Sequence, residues 1–171
     1  AGATPSWHVK ETTQIAMGIG AIVGTLAVAL AAGRFGRRIV YAGLCLASIA
    51  SIAWLYLGAK AYGGTFLAAA TLASVTTAGF YGWFPLVLPE LFPTAVRTTA
   101  QGFAFNFGRV LAAIGSLQTA PLVAFFAQGL DPSRVEVEAF PRAGLWLSGI
   151  YLMGAALIWL IPETKGRPLP E

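Results

Sequence analysis

One charged side chain stands inside an apolar run of this chain: Arg109, in FAFNFGRVLAAIG at residues 103–115. An arginine near a bilayer centre costs about 2.5–3.5 kcal/mol on insertion scales, so it must face other helices or an aqueous cavity. Asn106, the only asparagine in the chain, lies three residues earlier and on nearly the same helical face. Two readings stand. Arg109 and Asn106 line a cavity and contact an anionic or hydroxylated ligand, or Arg109 is structural and snorkels or pairs with a carboxylate elsewhere. A second stripe, Thr71, Ser74, Ala78, Tyr81 and Pro85, keeps one face of a helix through its spacing of three and four. Tyr81 is its best ligand, having a ring and a hydroxyl, and Ser74 shares its face. Small hydroxylated residues also serve close helix packing, and that reading stays open for this stripe. Trp83 reads as an interfacial anchor.

A second set of charges gathers at the ends of apolar runs. Gly33-Arg34-Phe35-Gly36-Arg37-Arg38 is a short basic loop, whose glycines permit a tight turn. In Pro89-Glu90-Leu91-Phe92-Pro93-Thr94-Ala95-Val96-Arg97, the two prolines are expected to end a helix. Pro162-Glu163-Thr164-Lys165-Gly166 follows the last apolar run. Arginine binds carboxylate through two parallel hydrogen bonds. Arg34, Arg37, Arg38, Glu90, Arg97 and Glu163 are therefore candidates for a pairing network, or for plain solvated loop charge.

Nothing supports catalysis. No nucleotide-binding loop, metal cluster or nucleophile–base pair is present in the sequence, so no cofactor and no metal are expected. Cys45 is the single cysteine, which excludes an internal disulfide. His8 reads as a solvated loop histidine without metal partners. No Asp or Glu lies within an apolar run, so protons, if they are the coupling ion, would use a carboxylate outside this chain.

The elements that must position these groups follow from composition. Of 171 residues, 57% are apolar and 11% charged, against about 25% charged in ordinary soluble domains. A membrane crossing takes about 20 apolar residues, and five runs qualify: 13–32, 39–58, 62–88, 103–127 and 144–161. All seven acids and every base except Arg109 fall outside them. The expectation is an all-α, polytopic helix bundle of five transmembrane helices in one domain over 1–171, with the lipid bilayer as a partner and nucleic acid not. Gly20 and Gly24 form a Gly-x-x-x-Gly pair suited to close contact. Arg34, Arg37, Arg38, Arg97, Lys165 and Arg167 lie on one side; Lys10, Lys60, Arg134 and Arg142 lie on the other, balanced by acids. The first side is expected to be cytoplasmic, with the N-terminus outside and the C-terminus inside. The chain opens on Ala rather than Met, which suggests part of something longer.

In order and spacing, GRFGRR, PELFPTAVR and PETKGRPLPE resemble three loops of the C-terminal half of major facilitator superfamily transporters, those of sugar porters and related metabolite symporters. The resemblance covers helices eight to twelve of that fold, a partial C-terminal domain. There are departures. Gly33 stands where an acid is usual, and Ala29 where glycine is. Gly79-Phe80-Tyr81-Gly82-Trp83-Phe84-Pro85 places its proline after the tryptophan, which points toward organic-anion and metabolite symporters, as does Phe105-Asn106-Phe107-Gly108-Arg109. The resemblance implies part of a secondary transporter of a small metabolite, an organic anion or a sugar, working by alternating access in a plasma membrane of the bacterial inner-membrane type. It also implies a missing N-terminal half as partner and no enzymatic activity. The loop charges would pair as a conformational latch, closed in the outward-open state. A self-contained small membrane scaffold or channel subunit is the alternative.

Overall fold

The computed structural model describes residues 6–58 and 61–171; Lys60, assigned above to the outer side, lies outside them. The described residues are all-α, without strands. Helix α1 spans Ser6–Phe35 and α2 spans Arg37–Ala53, continued by a π turn at Trp54–Gly58. Then come α3 (Gly64–Ala78), α4 (Phe80–Leu91), α5 (Arg97–Leu117) and α6 (Thr119–Phe126). The last stretch comprises α7 (Pro132–Arg134), a π turn (Val135–Ala139), α8 (Phe140–Ser148), α9 (Ile150–Leu157) and a final 3-10 turn (Ile158–Leu160).

Among the described residues, four stretches are long and apolar enough to cross a membrane: His8–Phe35, Arg37–Gly58, Arg97–Phe126 and Pro132–Leu160. The third apolar run is divided between α3 and α4. Gly79 keeps helical angles (φ −54°, ψ −29°) and its N–H donates to the Val75 carbonyl (3.2 Å), so the chain runs on helically from α3 into α4. Two prolines were expected to end this run, and only one does. Pro89 lies inside α4; the helix stops at Phe92, which is extended (φ −123°, ψ 138°) because the ring of Pro93 disfavours the helical region before it. Pro121 has the analogous effect three residues after the break at Gln118, since it has no N–H for the Leu117 carbonyl.

The polar flanks are more helical than their charge suggested. His8 lies within α1 rather than in a loop. The hydroxyls of Thr12 and Thr13 donate to the carbonyls of His8 and Val9 (2.6 and 2.7 Å). Residues 132–143 are also helical, and Glu138 pairs with both Arg134 and Arg142 one turn away.

Packing is closest where glycine removes bulk. α1 lies along α3 and α4. A Cβ on Gly24 would sit 2.0 Å from the Val75 carbonyl oxygen, and one on Gly82 would sit 2.0 Å from that of Thr25. The Thr25 hydroxyl donates to the Ala78 carbonyl (3.2 Å). This is the small-residue contact of membrane helices. The buried cluster Ala32, Trp83, Val87 and Ile158 joins α1, α4 and the last turn. α5 carries no buried residue; Phe103, Phe107, Val110 and Leu117 are all exposed. Exposed apolar side chains fit hydrocarbon surroundings, where the helix satisfies its own backbone.

Candidate functional site

The arginine-rich end holds the densest polar cluster in the described residues. Gly36 takes φ +105°, a value that favours glycine, and turns the chain from α1 into α2. The next N–H groups open α2 with no helical acceptor. The Glu163 carboxylate, from the tail, supplies one: it accepts from the backbone N–H of Arg37 (2.9 Å) and of Arg38 (3.1 Å). It also accepts from the N–H groups of Thr164 and Lys165, both at 3.1 Å. A negative group at a helix N-terminus is favoured by the backbone dipoles as well. Partial burial pushes the Glu163 carboxyl up. The hydrogen bonds from the backbone of Arg37, Arg38, Lys165 and Thr164 outweigh it and hold the group below its ordinary 4.5.

Arg37 turns its side chain to α4. Nε and Nη2 donate to the two oxygens of Glu90 (3.1 and 2.6 Å), a bidentate fork, while Nη1 donates to the Ala32 carbonyl (2.8 Å). The Thr164 hydroxyl also donates to Glu90. Burial raises the Glu90 carboxyl, but hydrogen bonds from Arg37 and Thr164 and the Arg37 charge bring it below 4.5. Three segments distant in sequence, the 33–38 loop, the end of α4 and the tail, thus meet through Arg37, Glu90 and Glu163.

The other charges expected in this network are placed differently. Arg38 Nε donates to the Ile161 carbonyl. Arg97 donates to the carbonyls of Phe92 (3.2 Å) and Pro170 (2.7 Å) rather than to a carboxylate. Arg34 stacks over its neighbour Phe35, 6.0 Å from the ring centroid, and its carbonyl accepts from Lys165 Nζ. All three bind main-chain groups or a ring, yet Arg38 and Arg97 tie the same loops to the tail.

Toward the middle of the bundle lies an open cavity of about 640 Å³ between α2, α4, α5 and α9. Arg109 and Tyr81 both line it, so the structure brings these two candidates together. Asn106 stays outside: it is exposed, and its side-chain N–H donates to the Gly102 carbonyl of its own helix (2.8 Å). Ser74 is buried against α1, its hydroxyl donating to the Met17 carbonyl (2.7 Å), which is the packing role.

Sequence reading missed the aromatic wall. Tyr41, Phe80, Phe84 and Tyr151 line the cavity beside Cys45. Phe80 stacks on Tyr151 (5.7 Å, 14°) and meets Tyr41 edge to face (5.2 Å). No local pattern in the sequence marks these rings, which come from three apolar runs, as converging. Among the described residues, Arg109 is the only charged one lining the cavity. Among the described residues no three His, Cys, Asp or Glu side chains group as a metal site.

Known proteins resemble this chain in sequence and in fold. The chain is 31% identical over 166 residues to solute carrier family 22 member 7 of Sus scrofa, covering 93% of this chain and 26% of that protein. It is 28% identical over 173 residues to the proline/betaine transporter of Salmonella typhimurium, covering 95% of this chain and 31% of the relative. It thus spans about a third or less of these relatives' length. In structure it matches the xylose transporter XylE from E. coli in a partially occluded inward-open conformation, with TM-score 0.63, 21% identity and coverage of 87% of this chain and 38% of that one. The sequence model for "Sugar (and other) transporter" matches residues 2–171. With the fold of a major facilitator transporter and a family match over nearly its whole length, the chain belongs to the sugar (and other) transporter family.

Proposed function

We propose that this chain is the C-terminal portion of a secondary active transporter that moves a small metabolite, an organic anion or a sugar, by alternating access. The observation that carries the reading is the Arg37–Glu90–Glu163 cluster. It fastens the 33–38 loop, α4 and the tail at one end of the bundle, where helix movement would have to separate them. Alternating access needs two states of similar energy, and a few partly solvated, charge-assisted bonds supply an adjustable difference between them. Closed pairing belongs to the outward-open state, and parting to inward opening.

The substrate surface includes Arg109 and Tyr81 at the cavity. Arg109 is a fixed cation for a carboxylate or other anion, and the rings offer stacking area. The remaining contacts come from an N-terminal half of the same protein, which also holds any proton-coupling carboxylate. The arginine-rich end faces the cytoplasm of a bacterial inner membrane.

The test is uptake by the full-length protein in proteoliposomes, with benzoate, xylose and glycine betaine offered separately. Arg109→Ala should lower uptake of an anion at least tenfold, since it removes the cation at the cavity that would pair with the substrate's charge. Uptake of neither benzoate nor xylose, glycine betaine alone included, or anion uptake unchanged by Arg109→Ala, would refute this placing of the substrate.

A further inference from the structure

Trp83 is used neither by the charge cluster nor by the cavity lining, yet it touches both. It is 3% exposed. On one side its ring packs against Tyr41 (4.7 Å) and Phe84 (5.5 Å), two residues of the cavity wall. On the other side its indole N–H donates to the backbone carbonyl of Arg37 (2.9 Å). The side chain of that same Arg37 is held by Glu90.

Trp83 and Glu90 are seven residues apart on α4, nearly two turns, and so share one face. α4 therefore grips Arg37 twice, by its main chain and by its guanidinium. Tyr41 lies one turn beyond Arg37 on α2, against the same indole. An indole has a single donor and no acceptor to exchange it for. If α2 and α4 part at this end, Trp83 loses its partner together with Glu90. If Tyr41 is displaced from the cavity side, the indole moves with the carbonyl it holds.

We propose that Trp83 is the second fastening point of the latch and transmits displacement of the cavity wall to it, through Tyr41 on one side and the Arg37 carbonyl on the other. This rests on the latch described under Proposed function. It makes Trp83 a positioning residue, acting on Arg37 and not on substrate.

The test is a distance measurement between spin labels at Phe35, the last residue of α1, and Ala95, in the turn after α4, both exposed, in the full-length protein in nanodiscs. Trp83→Phe keeps an aromatic ring and removes the N–H. It should raise the ratio of separated to fastened molecules about fivefold, the factor one neutral hydrogen bond supplies. Glu90→Gln should raise it further, and the double variant should fall short of the product of the two because both groups hold one residue. Tyr41→Leu should shift the ratio in the protein that retains Trp83 but not in the Trp83→Phe background. Trp83→Leu serves if the Phe variant does not fold. An unchanged ratio in Trp83→Phe beside a shifted one in Glu90→Gln would overturn the proposal, as would full multiplicativity of the pair. A Tyr41→Leu shift that is absent, or equal in both backgrounds, would overturn the transmission. No effect of Glu90→Gln would instead remove the latch itself.

Discussion

Replacing Glu163 by Ala should loosen the start of α2 without loosening the bundle. The carboxylate accepts two backbone N–H groups of that helix, at 2.9 and 3.1 Å, where the helix has no acceptor of its own. The Gly36 residue before it has no side chain to cap with. Each bond to a charged acceptor is worth about 1.5–3 kcal/mol when well shielded; the half-buried Glu163 is partly solvated, so about 1 kcal/mol each is the fitting value. The loss is then about 2 kcal/mol, or a roughly 30-fold rise in local opening. Hydrogen–deuterium exchange of the full-length protein reads this directly: the amides of Arg37 and Arg38 should exchange about 30-fold faster. Amides of α3, which Glu163 does not touch, should keep their rates. Glu163→Gln discriminates further. Its single oxygen can replace the one that accepts from Arg37, Thr164 and Lys165, and its NH2 then faces the Arg38 N–H. Arg38 should lose protection while Arg37 keeps most of its own. Unchanged exchange at both amides in the Ala variant, or faster exchange spread evenly over α3, would refute the capping argument.

Other outcomes follow from the same geometry. Gly24→Ala places a Cβ against the main chain of Val75, which cannot rotate away; it should destabilise the detergent-solubilised protein by about 1–3 kcal/mol. Gly18→Ala meets nothing within 4 Å and, inside α1, should leave the protein's stability unchanged or raise it by up to about 1 kcal/mol. The two acids of the arginine-rich end titrate with a definite sign. Both Glu90 and Glu163 have folded values lowered from 4.5, so their contribution is present above that value and is lost as pH falls through the lowered ones. The Phe35–Ala95 label distance should therefore stay constant from neutral pH to about 5 and lengthen only under stronger acid; a transition near neutrality would contradict the assignment.

Much of the architecture was legible from local composition. Apolar runs separated by charge marked the helices, and Gly20 and Gly24 marked a close crossing that α1 makes with α3. The ordered loops GRFGRR, PELFPTAVR and PETKG pointed to a family that the match over residues 2–171 shows. Helix ends were read less well. Pro89 sits inside α4, where membrane surroundings tolerate a proline within a helix, and residues 132–143 belong to the last helical stretch, with Glu138 paired to Arg134 and Arg142 at helical spacing.

The chain alone determined which segments are apolar enough to leave water and which charges stay at their ends, because that preference is a sum of single-residue transfer energies. It also singled out Arg109, since a charge in an apolar run is visible without knowing its neighbours. Partners were decided only by the tertiary structure. Glu90 lies seven residues before Arg97 but binds Arg37, 53 residues away, because α2 and α4 meet there and Arg97 is drawn to the tail. Ser74 and Tyr81 share a sequence stripe, yet α1 packs along α3, so that one is buried on Met17 and the other open to the cavity. A hydrogen bond or ring contact exists only within a few ångström, and which helix faces come that close is set by how the helices cross.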